Sequence, residues 1–176
     1  MHSGPSSPSS NSAVQKALYS PEERKRRDQS GWTLVQGILA PVQFVVFLVS
    51  LGLVLRFLTT GEGETAATVS VVIKTLALYL IMITGCIWEK VVFGRYLFAP
   101  AFYWEDVFSM LVLALHTAYL VSLGMGLMSA RGLMLLALAA YAAYVINAVQ
   151  FILKLRAARL DMARASDSSA RQEVAA

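Results

Sequence analysis

Apolar residues are scattered until Trp32 and dominate from there on. Four predominantly apolar runs follow, at 32–55, 66–88, 107–128 and 132–153. Each is long enough to cross about 30 Å of hydrocarbon as an α-helix rising 1.5 Å per residue. The connections are short, and the last offers only Ser129-Ala130-Arg131 in which to turn. The pattern predicts an all-α integral membrane protein, a four-transmembrane-helix bundle crossing up-down-up-down.

The flanks read differently. Residues 1–19 are rich in Ser, Pro, Gly and Asn without apolar periodicity, which predicts a disordered tail. The first apolar run is too long for a signal-peptide core and is expected to remain as an anchor. Ser20-Pro21-Glu22-Glu23 has the form of a capping box with proline at the first helical position. It predicts a short helix at the membrane surface carrying Arg24, Lys25, Arg26 and Arg27. Residues 161–176 are expected to form a second disordered tail, leaving 20–160 as the membrane domain.

Composition strengthens the membrane reading. The chain is 57% hydrophobic and 15% charged with a mean hydropathy of +0.59, whereas a soluble domain carries about a quarter charged residues. The net charge of +4 comes from cations beside apolar runs, not from a basic face interleaved with aromatics, so nucleic-acid binding is not indicated. Lys and Arg concentrate at 24–27, at Lys90 and Arg95, and at Lys154, Arg156, Arg159 and Arg164. By the positive-inside rule both termini and the loop 89–106 face the cytoplasm of a multi-pass inner (intracytoplasmic) membrane protein. Cys86 is the single cysteine, so the chain carries no disulfide framework and no paired-cysteine metal or haem motif.

Polar side chains inside hydrocarbon are costly, and each is a candidate functional residue. Gln36, Glu89, Asn147 and Gln150 fall roughly 0 to 10 Å from the cytoplasmic ends of their helices, and Gln43 and His116 roughly 15 Å. Helical spacing groups them: Gln36 with Gln43; Tyr79, Met82, Cys86 and Glu89; Glu105, Ser109, His116 and Tyr119; Tyr144, Asn147, Gln150 and Phe151. Turned inward, these faces are expected to line a polar, aromatic cavity open to the cytoplasmic leaflet. Lys74 lies towards the other membrane face and is expected to snorkel out. Gly85, Gly124 and Gly126 suit close helix packing.

The loop WEKVVFGRYLFAPAFYWED, residues 88–106, is the most unusual stretch. It combines Trp88, Phe93, Tyr96, Phe98, Phe102, Tyr103 and Trp104 with Glu89, Lys90, Arg95, Glu105 and Asp106. An interfacial aromatic belt accounts for tryptophan and tyrosine but not for three carboxylates. Glu89 has a plain alternative as an ion-pair partner of Lys90 or Arg95, and His116 as a hydrogen-bonding helix contact.

The stretches GWTLVQGILAPVQFVVFLVSLGLVLRFL, IWEKVVFGRYLFAPAFYWEDVFSMLVLALHTAYL and LMLLALAAYAAYVINAVQFILKLRAARL together resemble the 3-vinyl bacteriochlorophyllide hydratase family. The resemblance covers about residues 20–160 and extends through the polar loop, which hydrophobicity alone does not dictate. It implies addition of water to the C3-vinyl group of a chlorophyllide-type macrocycle, giving a 3-(1-hydroxyethyl) group in bacteriochlorophyll synthesis. An Mg-tetrapyrrole that partitions into the membrane suits a cavity at its edge. Hydration moves a proton and a water but no electrons, so no cofactor is expected, the Mg belonging to the substrate.

On that reading a carboxylic acid protonates the terminal vinyl carbon and water attacks the inner carbon. Glu89 and Asp106 are the first candidates for the acid/base pair, with Glu105 and His116 behind them. His116 is also a candidate axial ligand to the substrate Mg. Arg95 is a candidate partner for the propionate, and Tyr96, Phe102, Tyr103, Trp104, Gln36, Gln43, Asn147 and Gln150 for the rest of the macrocycle. Lipid, neighbouring enzymes of the pathway and a second copy of the chain are the expected partners. A non-catalytic tetrapyrrole carrier would use the same features. A small transporter fits less well, because the carboxylates gather at one interface and no repeat is visible.

Overall fold

The computed structural model describes residues 18–174 and is all-helical in its regular structure. The helices are α1 (Pro21–Gln29), α2 (Gly31–Thr60), α3 (Glu64–Phe93), α4 (Tyr103–Gly124) and α5 (Ala130–Val174). Four stretches, namely α2, α3, α4 and Ala130–Leu160 of α5, are long and apolar enough to cross a membrane. Their outer faces expose Leu34, Ile38, Val45, Leu76, Ile83 and Ile152, as lipid-facing surfaces do.

The helix ends follow from local chemistry. The Ser20 hydroxyl accepts the Glu23 N–H at 3.2 Å and the Glu23 carboxylate accepts the Ser20 N–H at 2.7 Å, so the predicted capping box forms. Ser30 caps α2 through the Trp32 N–H. α2 and α3 stop at Gly61 and Gly94, whose φ angles of +76° and +79° are left-handed conformations that glycine adopts without cost.

Several boundaries differ from the sequence reading. α3 runs on to Phe93 and α4 starts at Tyr103, so the segment expected as a long loop is nine residues, 94–102, with Glu89, Glu105 and Asp106 on helices. No Gly or Pro falls between Cys86 and Phe93, so nothing stops the helix before Gly94. α4 ends at Gly124 and not at 128, and residues 125–129 make the turn, with Gly126 at φ +63°. α5 continues to Val174, so helix replaces the tail expected from 161; no Gly or Pro interrupts 133–174. The tail expected at 1–19 lies outside the described residues up to 17. Within it Tyr19 is buried, its ring stacked on Phe93 at 5.7 Å.

The bundle is built from two antiparallel hairpins. In the first, Trp88 Nε1 donates to Thr33 Oγ1 (2.9 Å), Gln36 Nε2 donates to Thr84 Oγ1 (2.7 Å), and the Ser50 and Ser70 hydroxyls meet at 2.7 Å. In the second, Lys154 reaches Glu105 and Asn147 reaches Ser109. The hairpins join chiefly through α2 and α5, where the Phe47 ring meets Tyr141 and Tyr144, while α3 and α4 touch sparsely. Phe47, Val54, Val71, Tyr119, Met134 and Tyr141 form one core. At the other end Tyr19, Trp88, Phe93, Phe102 and Phe151 form an aromatic cluster beneath the loop 94–102, here called the loop end.

Lys74 does not snorkel. It shares a buried stripe of α3 with Ala67, Val71 and Leu78, is 0% exposed, and holds its ammonium 4.0 Å from the Tyr144 ring centre. A side chain on that face points into the bundle and has no route to water.

Candidate active site at the loop end

The last turns of α3 and the first turn of α4 bring two carboxyls together across the loop. Glu89 is 5% exposed, and its carboxyl abuts that of Asp106 and the backbone of Ala99. Asp106 is also buried, and its Oδ2 accepts the Phe98 N–H at 2.7 Å. Neither Glu89 oxygen receives a hydrogen bond from a described residue. A proton held by either carboxyl would supply the donor that Glu89 lacks, and two carboxyls in contact can share one proton between them. Cys86, one turn before Glu89, lies near both.

The alternative of an ion pair for Glu89 is not realised. Lys90 Nζ donates to the Gly94 carbonyl at 3.0 Å and lies 5.1 Å from the Tyr96 ring centre, and Arg95 stands exposed. Glu105, by contrast, is held at 2.6 Å by Lys154, whose ammonium also lies 5.0 Å from the Phe102 ring centre. This bridge ties α4 to α5 and engages the Glu105 carboxylate, unlike those of Glu89 and Asp106.

The sequence-derived polar faces separate into two places. Glu89, Asp106, Glu105, Asn147 and Gln150 lie towards the loop end, with Asn147 Nδ2 donating to Ser109 Oγ at 2.9 Å and Gln150 Oε1 buried without a partner among the described residues. Gln36 is engaged by Thr84, and Gln43 is buried in mid-bundle. His116 is ten residues along α4 from Asp106, roughly 15 Å away at 1.5 Å per residue. Its Nδ1 lies 2.8 Å from the Val112 carbonyl, which requires a proton on Nδ1 and leaves Nε2 with a lone pair. It is 0% exposed beside Tyr141, so axial ligation of a tetrapyrrole metal there requires the helices to part. Among the described residues, the candidates of the expected chamber gather as a loop-end carboxyl pair and a separate mid-bundle cluster.

The aromatic candidates divide as well. Phe102 belongs to the buried cluster, its ring parallel to Phe151 and edge-on to Trp88 and Phe93. Tyr96, Tyr103 and Trp104 face outwards, Trp104 at 66% exposure, as belt residues do.

Below the carboxyl pair, the sparse α3/α4 contact leaves an open apolar groove of about 300 Å³ lined by Tyr79, Met82, Ile83, Leu113 and Thr117. Tyr79 and Met82 share the Glu89 stripe, as the sequence spacing predicts. Leu113 and Thr117 were not among the candidates, although they lie seven and eleven residues from Asp106 and so share its face. Among the described residues, no three His, Cys, Asp or Glu side chains gather into a metal-holding group.

Known proteins place this architecture. The family model described as 2-vinyl bacteriochlorophyllide hydratase matches residues 19–157. A 2-vinyl bacteriochlorophyllide hydratase of Cereibacter sphaeroides is 65% identical over 156 residues, covering 88% of this chain and 96% of the relative. One of Rhodobacter capsulatus is 65% identical over 159 residues, covering 90% and 91%. No solved structure matches the chain. With the match running through all four spans and the carboxylate-bearing loop end, the chain belongs to the 2-vinyl bacteriochlorophyllide hydratase family.

Proposed function

We propose that this protein hydrates the ring vinyl group of a bacteriochlorophyllide-type substrate through its Glu89–Asp106 pair. Family membership supports the vinyl hydratase activity in bacteriochlorophyll biosynthesis; this is the vinyl called 2 or 3 according to the ring numbering used. The observation that carries the mechanism is the contact of two buried carboxyls, one oxygen of which is fixed by the Phe98 N–H.

The reaction turns –CH=CH2 and water into –CH(OH)–CH3. One carboxyl of the pair delivers its proton to the terminal carbon, using the π electrons of the vinyl group to form the new C–H bond. The positive charge left at the inner carbon spreads into the macrocycle. A water oxygen bonds to that carbon, and the second carboxylate accepts the proton the water releases. The pair then holds one proton again, on the opposite partner, and a shift across the carboxyl contact resets it. No electrons change hands, so the cycle calls for no redox cofactor, and Mg enters only as part of the substrate.

Burial helps both halves of this cycle. Excluding bulk water keeps the transient cation from losing its proton elsewhere, while the Glu89 oxygens that lack donors offer acceptors for a single bound water. On this reading the bundle crosses the membrane up-down-up-down with both termini and the loop end at the cytoplasmic face, where Lys90, Arg95 and Lys154 mark the positive side. The exposed Arg95 is then placed to meet the substrate carboxylate at the interface.

The test is incubation of detergent-solubilised protein with the vinyl chlorophyllide, without added cofactor, followed by absorption and mass. A blue shift of the red band with the gain of one water supports the hydratase. Pigment bound with no change in mass would instead identify a carrier.

A further inference from the structure

The two hairpins meet more along α2 and α5 than along α3 and α4, where an apolar groove opens about two helical turns from the carboxyl pair. Met82 and Glu89 are seven residues apart on α3, and Leu113 and Asp106 are seven apart on α4. Seven residues are two helical turns, so the groove and both carboxyls lie on the same two facing stripes, roughly 10 Å apart along the axis. Cys86, near both carboxyls, occupies the turn between.

The groove walls are apolar apart from one bridge. Thr117 Oγ1 donates its only proton to the Leu113 carbonyl at 2.8 Å, so the 2.8 Å contact with Tyr79 Oη is donated by the tyrosine. This side-chain hydrogen bond joins α3 to α4, and it lies at the end of the groove away from the carboxyls. Ile83 and Thr117 are exposed at the rim, where the groove opens sideways to the surroundings of the bundle. Lateral opening distinguishes it from a water-filled mouth: whatever enters comes from the hydrocarbon.

We propose that the α3/α4 groove is the seat and lateral access route of the tetrapyrrole disc, with Tyr79, Met82, Leu113 and Thr117 as specificity-determining residues. The inference rests on the hydratase reading above and adds the location of the macrocycle. A volume of about 300 Å³ holds an edge of the disc while the rest remains in lipid. The edge that carries the vinyl group points along the groove to Glu89 and Asp106. The disc's two faces meet Met82 and Leu113, and the Tyr79–Thr117 bridge stops it at the far end. A lipid acyl chain has the same polarity, but it has no reactive edge to bring to the buried carboxyls at the head of the groove.

The experiment fills the groove. Leu113→Trp and Thr117→Trp are assayed for turnover against substrate concentration, beside Leu111→Trp on the outer face of α4. The expected result is a KM raised at least tenfold in both groove variants with kcat changed much less, and the Leu111→Trp control unaffected. As a second readout that does not depend on the bulky variants folding, Thr117→Cys in a Cys86→Ser background is treated with a membrane-permeant maleimide. Substrate is expected to slow labelling of Thr117→Cys and not of Leu111→Cys made in the same background. Unchanged KM in the groove variants, or labelling at 117 that substrate does not slow, overturns the groove as the seat and leaves it to lipid. In either case wild-type hydration still stands, whereas absence of hydration by the wild type refutes the underlying reading.

Discussion

The Asp106 carboxylate accepts the Phe98 backbone N–H at 2.7 Å, and Phe98 holds φ at +59°, a left-handed conformation that costs a bulky residue of order 1–3 kcal/mol. One contact therefore fixes the loop and one Asp106 oxygen together, leaving the second oxygen for Glu89. Asp106→Asn keeps an acceptor for Phe98 but has no exchangeable carboxyl proton. Its fold is expected to survive while turnover falls roughly a hundredfold or more. Asp106→Ala loses both, and is expected to melt earlier in detergent as well. Equal melting of the two variants would count against the Phe98 bond as the loop's anchor.

Glu89→Gln preserves volume and removes the acid function. Its expected outcome is a loss of turnover of about 10² or more with the pigment's binding spectrum retained. A variant that binds and hydrates normally would move the chemistry away from α3.

The Glu105–Lys154 bridge, at 2.6 Å with Glu105 nearly buried, is expected to act on stability. Lys154→Met leaves the Glu105 carboxylate without its partner and should cost about 1–3 kcal/mol. Adding Glu105→Gln should recover most of that loss, since the stranded charge is then gone. Thermal unfolding of the two variants in one detergent measures the difference.

Mid-bundle, Lys74 carries a buried ammonium with no hydrogen-bond partner among the described residues, satisfied only by the faces of Tyr144 and Tyr141. Lys74→Met is expected to raise the melting temperature, because a fitted apolar chain avoids the desolvation cost of an unpaired amine. His116→Phe is expected to keep turnover within a few fold, as the imidazole lies roughly 15 Å along α4 from Asp106. Abolished turnover with intact pigment binding would return His116 to the chemistry.

Much of this molecule is legible in one dimension. Four runs of apolar length, a Ser20 capping box, and glycines at 61 and 94 depend on local energetics, and the helices follow them. The carboxyls Glu89 and Asp106 stand out because charge at the edge of an apolar run is costly wherever the chain folds. Tyr79, Met82, Cys86 and Glu89 share a face by spacing alone.

Which faces meet is a different matter. Spacing shows that Glu105, Ser109 and His116 form one stripe of α4 and Asp106, Leu113 and Thr117 the next, but not which stripe turns to α5 and which to α3. Packing of the two hairpins decided that: Lys154 and Asn147 take the first stripe, and the second is left facing the open α3/α4 groove. The same packing buried Lys74 and separated His116 from the carboxyls. The sequence alone determined the four spans and the candidate residue types, because those rest on apolar length and the cost of charge in hydrocarbon. Only the tertiary structure chose the partners, because neighbouring stripes differ by a single residue step and interhelical contacts select between them.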